Sequence, residues 1–388
     1  MARPARGARG ADETEVIVIG AGPAGLAVGA CLRDQGVPFE ILEQADAVGS
    51  SWRRHYERLH LHTVKQFSAL PLLPWPASVP MYPSRAQMVE YLERYAERFR
   101  LAPRFGEAAA RARHDGSRWV VQTAAGERRA RALVVATGYN RVPRLPALPG
   151  QERFEGEILH SSAYRSGARF RGKRALVVGL GNSGGEIAID LWEHGADTTL
   201  AVRSPVHVVP RDFHGVPAQI ASLFLLGRLP PEIADPIALW VADRTVGDLS
   251  RWGLCRPEVG PAAQVIRQGR IPLIDIGTVE LIKQGHIHVT PGPRELTARG
   301  VIFTDGRELP FDVIVMATGY RAGLEDFLED AARYTDARGY PRWHGAPTPA
   351  PGLFFIGFRN PITGALHDIS REAPRIAGHA RALAHRGS

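Results

Sequence analysis

Twice in one chain, a short β-branched strand runs into a glycine turn spaced GxGxxG and on into an apolar helix, a pattern that few folds accommodate. The first copy is EVIVIGAGPAGLAVGACLRDQGVPFEILEQ: a strand over Val16 to Ile19, glycines at Gly20, Gly22 and Gly25, a helix to about Gln35, and a second strand closing at Glu43. Each glycine has its own task. Gly20 permits the turn, Gly22 lets the backbone approach a pyrophosphate, and Gly25 lets the helix pack on the strand, while the helix start presents unpaired N–H groups to the phosphates. Pro23 and Ala24 complete that loop. The second copy, RALVVGLGNSGGEIAIDLWEHGADTTLAVRS, repeats the plan with Gly179, Gly181 and Gly184, and with Asn182 and Ser183 opening its helix. A lone GxGxxG is often only a tight turn. Two copies, each with a strand before and a helix after, predict an α/β fold of two Rossmann-like dinucleotide-binding domains.

The two copies differ where the second strand ends. The first has Glu43 followed by Gln44; the second has Arg203 followed by Ser204. A carboxylate suits a free ribose 2′-hydroxyl, whereas a guanidinium offers a planar donor fork to a 2′-phosphate. The first site is therefore expected to hold FAD and the second NADPH. The plain alternative is that Arg203 is one more solvated arginine in an arginine-rich chain. Each copy later closes an apolar strand in the same residues, ALVVATGY and DVIVMATGY, which adds Thr137, Gly138, Thr318 and Gly319 to the cofactor-binding candidates. ATG alone could mark a strand ending at a turn. At matching places in both repeats it marks the crossings between two domains. The expected layout is a tail over residues 1–14, an FAD domain over 15–165 and 321–388, and an NADPH domain over 166–320 inserted into it. Gly357, in GLFFIGFRNP, falls in the returning part of the FAD domain.

Composition excludes several classes. Hydrophobic residues at 44% and charged residues at 23% describe a globular chain. The formal charge of +8 comes from arginines scattered through every segment, without the clustering and interleaved aromatics that a nucleic-acid surface needs. No apolar run is long enough to span a bilayer, and the N-terminal MARPARGARGADE is followed by no signal-peptide core, so the cytoplasm is the expected compartment. Two cysteines, Cys31 and Cys255, form no CxxC pair and hence no redox dithiol.

Other landmarks are coarser. Ser84 and Gln87 predict a capping box ahead of a helix whose Met88, Tyr91, Leu92, Tyr95 and Phe99 share an apolar side, read as core. RLHLHT places Leu59 and Leu61 on one face of a strand and His60 and His62 on the other; the HxH pair lacks an obvious third metal ligand, so no metal is assigned and a place lining the flavin pocket or packing is expected. The apolar stretch near residues 221–226 has four readings: a substrate-tunnel lid, a contact in a homodimer, a shallow membrane contact, or plain core packing.

Between the two loops stands FEGEILHSSAY. Its Phe154, Gly156, His160 and Tyr164 match the FxGxxxHxxxY motif, in the place it holds in flavin-containing monooxygenases, and the chain resembles that family over almost its whole length. The likeness sharpens toward the plant YUCCA-type members in RLHLHTVKQFSALPLLPWP, MYPSRAQMVEYLERYAERF, VVGLGNSGGEIAIDL and VRSPVHVVPRD. The resemblance implies that NADPH gives a hydride to FAD and that reduced FAD takes dioxygen to form a flavin hydroperoxide, which oxygenates a small-molecule substrate. For YUCCA-type members the implied reaction is oxidative decarboxylation of an aromatic 2-oxo acid such as indole-3-pyruvate. Oxygenation of a nitrogen or sulfur atom is the alternative, with a flavin reductase that does not oxygenate behind it. The GSSW at Gly49 to Trp52 resembles the family's flavin-binding turn, and Tyr164 stands where related Baeyer–Villiger enzymes usually carry Trp. One departure concerns an Asn that animal-type members hold near the flavin; in LHTVKQF, His62 or its neighbour stands there. His62, Lys65 and Gln66 are the resulting candidates for the flavin and substrate side.

Overall fold

The computed structural model describes residues 13–224, 229–361 and 363–385. Its first strand, Glu13–Ile19, starts two residues inside the expected tail. That strand has Phe39–Leu42 on one side and Gly126–Val135 on the other, both parallel to it. The ten-residue strand Gly126–Val135 is shared: its last residues pair in parallel with Leu353–Phe355, while its first half turns back antiparallel on Trp119–Thr123, which carries Arg111–His114 at the edge. Ile19, Leu42, Val135 and Phe355 therefore end at one level, and the turns that follow gather at that carboxyl edge, where open α/β sheets bind ligands. The helix Ala365–His385 lies across the first loop helix, Pro23–Asp34. Ala373, Ile376 and Ala377 bury in one core with Leu26, Ala27 and Ala30, so the carboxyl-terminal segment completes the first domain.

The second sheet is wholly parallel, in the order Ile287–Thr290, Asp197–Ala201, Arg174–Val178, Val313–Met316 and Glu157–His160. Its outer strand, Glu157–His160, lies inside FEGEILHSSAY, so this sheet takes up its first strand ahead of residue 166. An antiparallel three-stranded sheet, Pro293–Leu296, Gly300–Phe303 and Glu308–Pro310, packs Val301 and Phe303 against Leu176 and Ile314.

The chain crosses between the sheets just after each ATG. The outgoing residues Val142–Pro143 pair antiparallel with the returning Tyr320–Arg321, so the two links are bonded to each other. Among the described residues, no helix is long and apolar enough to cross a membrane.

Candidate active site

Both glycine loops have the same local geometry. Gly20 has φ +108° and Gly179 has φ +106°, and a Cβ on either would lie 2.7 Å from a carbonyl oxygen, of Ala136 and Ala317 respectively. Each turn thus rests on the alanine of its own ATG. A Cβ on Gly25 or Gly184 would stand 1.8 Å or 2.0 Å from the carbonyl oxygen of Gly20 or Gly179, so the third glycine is demanded by helix-on-strand packing. Gly22 and Gly181 differ from these: their backbones are extended and a Cβ on either would meet nothing within 4 Å. Protein packing gives no reason for glycine there; a ligand brought against the backbone does. Gly22 and Gly181 are the N-caps of the loop helices and offer no side-chain cap, leaving the first N–H groups open to an anion.

The surroundings fit two dinucleotides. Glu43 is buried at the end of its strand, with Oε2 accepting from Ala21 N at 2.7 Å and Oε1 from Ala45 N at 2.9 Å. The carboxylate holds the first loop and keeps lone pairs for ribose hydroxyls. Gln44 beside it is exposed. Gly49 donates to the Ala21 carbonyl at 3.0 Å, which seats the short helix Ser50–Arg53 and half-buried Trp52 against the loop. Thr137 Oγ1 is buried without a partner, an open polar atom directly behind Gly20. Gly357, φ +80°, lies so close to Ala24 that a Cβ there would approach the alanine's Cβ to 2.9 Å, and it brings the returning chain onto the loop helix at Pro23 and Ala24. In the second site the Asn182 side chain is taken up in structure, accepting from Ile274 N at 2.8 Å. Arg203 is exposed beside half-buried Ser204, its stem against Gly292 and its guanidinium in no hydrogen bond or ion pair among the described residues.

The linker motif is structural. His160 ends the outer strand of the second sheet; its Nε2 lies 3.0 Å from the Gly319 carbonyl, and its ring meets Tyr320 edge-on at 4.9 Å. The His160 ring titrates below its ordinary range, chiefly through burial. Tyr164 donates to Asp190 Oδ2 at 2.6 Å in the core of the second domain, and Gly167 N donates to the same oxygen at 2.7 Å. A Cβ on Gly156 would collide with the ring of Phe154 and the carbonyl of Asp312. The motif thus anchors the second sheet to the ATG of its own repeat, next to both domain crossings.

Residues 62–67 lie where the two domains face each other. His62 Nε2 meets Glu186 Oε1 at 2.6 Å, on the second loop helix, Asn182–Glu193. Val64 N donates to Gln219 Oε1 at 2.7 Å, and Gln219 Nε2 donates to the Thr363 carbonyl at 2.6 Å. Gln219, on the helix Ala218–Phe224, therefore ties the second domain to two loops of the first. Phe67 meets Phe224 edge-on at 5.7 Å and His367 at 6.1 Å, so aromatic rings from three segments gather beside exposed Gln66. Lys65 points elsewhere: its ammonium donates to the carbonyls of Pro76, Ala77 and Val79, which uses all three donors to staple that loop. RLHLHT forms only a single bridge, His60 with Ser84, rather than a strand; His60 is exposed while His62 is turned inward. Of the stretch near 221–226, Ser222 is buried and Phe224 is 58% exposed, and Leu225 and Leu226 lie outside the described residues. Glu186 and Gln219 belong to no motif that marks them in the sequence. The signal for Glu186 is a pair of acids, Glu186 and Asp190, four residues apart within the run GGEIAIDLW.

Comparison with known proteins agrees with this geometry. A family model described as pyridine nucleotide-disulphide oxidoreductase matches residues 17–212. Rice (Oryza sativa subsp. japonica) "Indole-3-pyruvate monooxygenase YUCCA1" is 42% identical over 366 residues, 92% of this chain and 89% of its own length. Arabidopsis thaliana "Probable indole-3-pyruvate monooxygenase YUCCA1" is 41% identical over 374 residues, with 93% and 88% covered. Among solved structures, the flavin-containing monooxygenase of Stenotrophomonas maltophilia superposes with a TM-score of 0.71 at 24% identity, covering 97% of this chain and all of that one. Cyclohexanone monooxygenase of Rhodococcus sp. Phi1 bound to NADP+ gives 0.75 at 21%, covering 97% and 85%. Two nucleotide loops in the same frame, and close likeness along nine-tenths of the sequence, place the chain in the YUCCA-type flavin monooxygenase family, as an FAD- and NADPH-dependent oxidoreductase.

Proposed function

We propose that this enzyme oxidatively decarboxylates an aromatic 2-oxo acid of the indole-3-pyruvate type. The observation that carries the reading is the 42% identity to an indole-3-pyruvate monooxygenase across 92% of the chain, which extends well beyond the two nucleotide loops. When bound, NADPH supplies the hydride and FAD the activation of dioxygen; the protein's task is placement and exclusion of water. Gly20, Gly22, Pro23, Ala24, Gly25, Glu43, Trp52, Thr137, Gly138 and Gly357 hold the flavin nucleotide. Gly179, Gly181, Ser183, Gly184, Arg203, Ser204, Thr318 and Gly319 hold NADPH. His62 and Gln66 face the reaction side, with Phe67, Phe224 and His367 offering ring surfaces for an aromatic substrate. Gln219 keeps the helix that carries Phe224 closed over Val64 and Thr363.

The test is to reduce the FAD-loaded enzyme with NADPH without oxygen, mix it with aerated indole-3-pyruvate, and look for indole-3-acetate. Stoichiometric acetate supports the reading. Oxygen use stimulated by an amine or sulfide, and not by the oxo acid, moves the enzyme to nitrogen or sulfur oxygenation.

A further inference from the structure

The second loop helix carries a buried carboxylate that the nucleotide fingerprint does not require. Glu186 lies one turn in from Asn182, with its side chain 3% exposed, and among the described residues its ion-pair partner is His62 at 2.6 Å. Arg58, whose charge interacts with that of Glu186, is committed to Glu193 through two bonds of 2.9 and 2.8 Å. Glu186 Oε2 is buried with no partner of its own. The Tyr56 hydroxyl is a hydrogen-bonding neighbour of Ser183 and Glu186, and burial together with the Glu186 charge holds it protonated, so this tyrosine is a neutral donor beside the carboxylate rather than a counter-ion. A carboxylate can only accept, so the 2.6 Å contact places the proton on His62 Nε2. The other ring nitrogen, Nδ1, has no hydrogen-bond partner among the described residues and belongs to a side chain still 12% exposed.

We propose that Glu186 is the positioning residue of His62: it fixes the ring across the domain seam, with Nε2 as the held nitrogen and Nδ1 as the one presented to the reaction side. The logic is that of a carboxylate orienting an imidazole, which sets tautomer and direction together. Glu186 shares its helix with Ser183 and the open N-cap Gly181, so the pair also fixes where residues 62–67 stand relative to the NADPH loop. That His62 faces the reacting groups rests on the function proposed above; the fixing of its ring does not.

The experiment uses full-length, FAD-loaded protein labelled with 15N-histidine, as wild type, Glu186→Gln, Glu186→Leu and His62→Leu. Wild-type His62 is expected to show a proton on Nε2 that exchanges with water at least about tenfold more slowly than that of exposed His60, because a bond to a charged acceptor must open first. Glu186→Gln keeps an acceptor oxygen and should retain that signal; Glu186→Leu should lose it, with lower kcat at unchanged FAD content and unchanged NADPH affinity. A wild-type His62 protonated on Nδ1, or exchanging as fast as His60, overturns the proposal even if Glu186→Leu does not fold. A protected Nε2 proton in Glu186→Leu overturns it as well. If the ring is held as described but His62→Leu turns over substrate like wild type, the positioning stands and it is the placement of His62 on the reaction side that fails.

Discussion

Gly181→Val separates a ligand's demand for glycine from the fold's own demand. A Cβ at 181 meets no protein atom within 4 Å, and φ −109°, ψ −172° is extended backbone that valine adopts readily. The cost to the fold is that of a poor N-cap replacing a fair one, about 1 kcal/mol, or roughly 2–4 °C in Tm for a domain of about 150–250 residues. The cost to NADPH is much larger. Valine fills the space in which a pyrophosphate meets the open N–H groups, and losing two charge-assisted bonds at about 1.5–3 kcal/mol each removes roughly 3–6 kcal/mol. At about 1.4 kcal/mol per decade, NADPH binding should weaken by roughly a hundred- to ten-thousand-fold. The assay is anaerobic flavin reduction over a range of NADPH concentrations, with FAD content read from absorbance and Tm from a melt. Gly184→Ala is the control: its Cβ would sit 2.0 Å from the Gly179 carbonyl, so it should lower Tm sharply. A Gly181→Val enzyme that binds NADPH within threefold of wild type, or that sheds FAD, refutes the reasoning.

If Arg203 meets the 2′-phosphate as proposed, Arg203→Ala should narrow the preference for NADPH over NADH by about 2 kcal/mol, roughly thirtyfold in kcat/KM, without change in FAD content; equal use of both coenzymes by the unmutated enzyme would discard the assignment. Tyr164→Phe strips the buried Asp190 carboxylate of one donor and should cost about 1–3 kcal/mol in a denaturant melt, while Gly167 N still holds the other bond. Burial, reinforced by Asp368, raises the Glu372 carboxyl to about 7. An acid whose folded pKa is raised binds its proton more tightly when folded, so its contribution is full at low pH and is lost as pH rises from about 4.5 to about 7. Glu372→Gln should therefore gain about 1–3 kcal/mol over wild type at pH 8 and little at pH 4.5; a constant difference across that range would show that Glu372 does not titrate there.

The sequence announced most of the frame because its strongest signals are local. A glycine at a positive φ, an apolar run of strand length and a cap such as Ser84 with Gln87 each act within a few residues, and the capping box forms as expected. The repeated ATG was legible for the same reason: each alanine carbonyl supports a glycine turn, so the two segments had to match. What sequence could not supply was the direction of individual side chains. Lys65 and His62 are three residues apart in one apparent motif, yet one staples the loop at 76–79 and the other reaches the opposite domain. Nothing local distinguishes them, because their partners lie 11 to 124 residues away.

The seam between the domains illustrates the same limit more sharply. Gln219 and Glu186 lie in the second domain, and each grips a residue of the 62–67 segment: Val64 at 2.7 Å and His62 at 2.6 Å. Both are long polar residues, 5% and 2% exposed as whole residues, a costly placement unless the bonds are made. A fold seeking only stability could have met this seam with apolar residues, which often do as well as a buried polar pair. Directional bonds instead fix register and angle between two domains that must bring a nicotinamide to a flavin. The same requirement explains why the two linkers pair through Val142–Arg321 and Pro143–Tyr320 beside His160. The contacts least legible in the sequence are thus those that set one nucleotide site against the other.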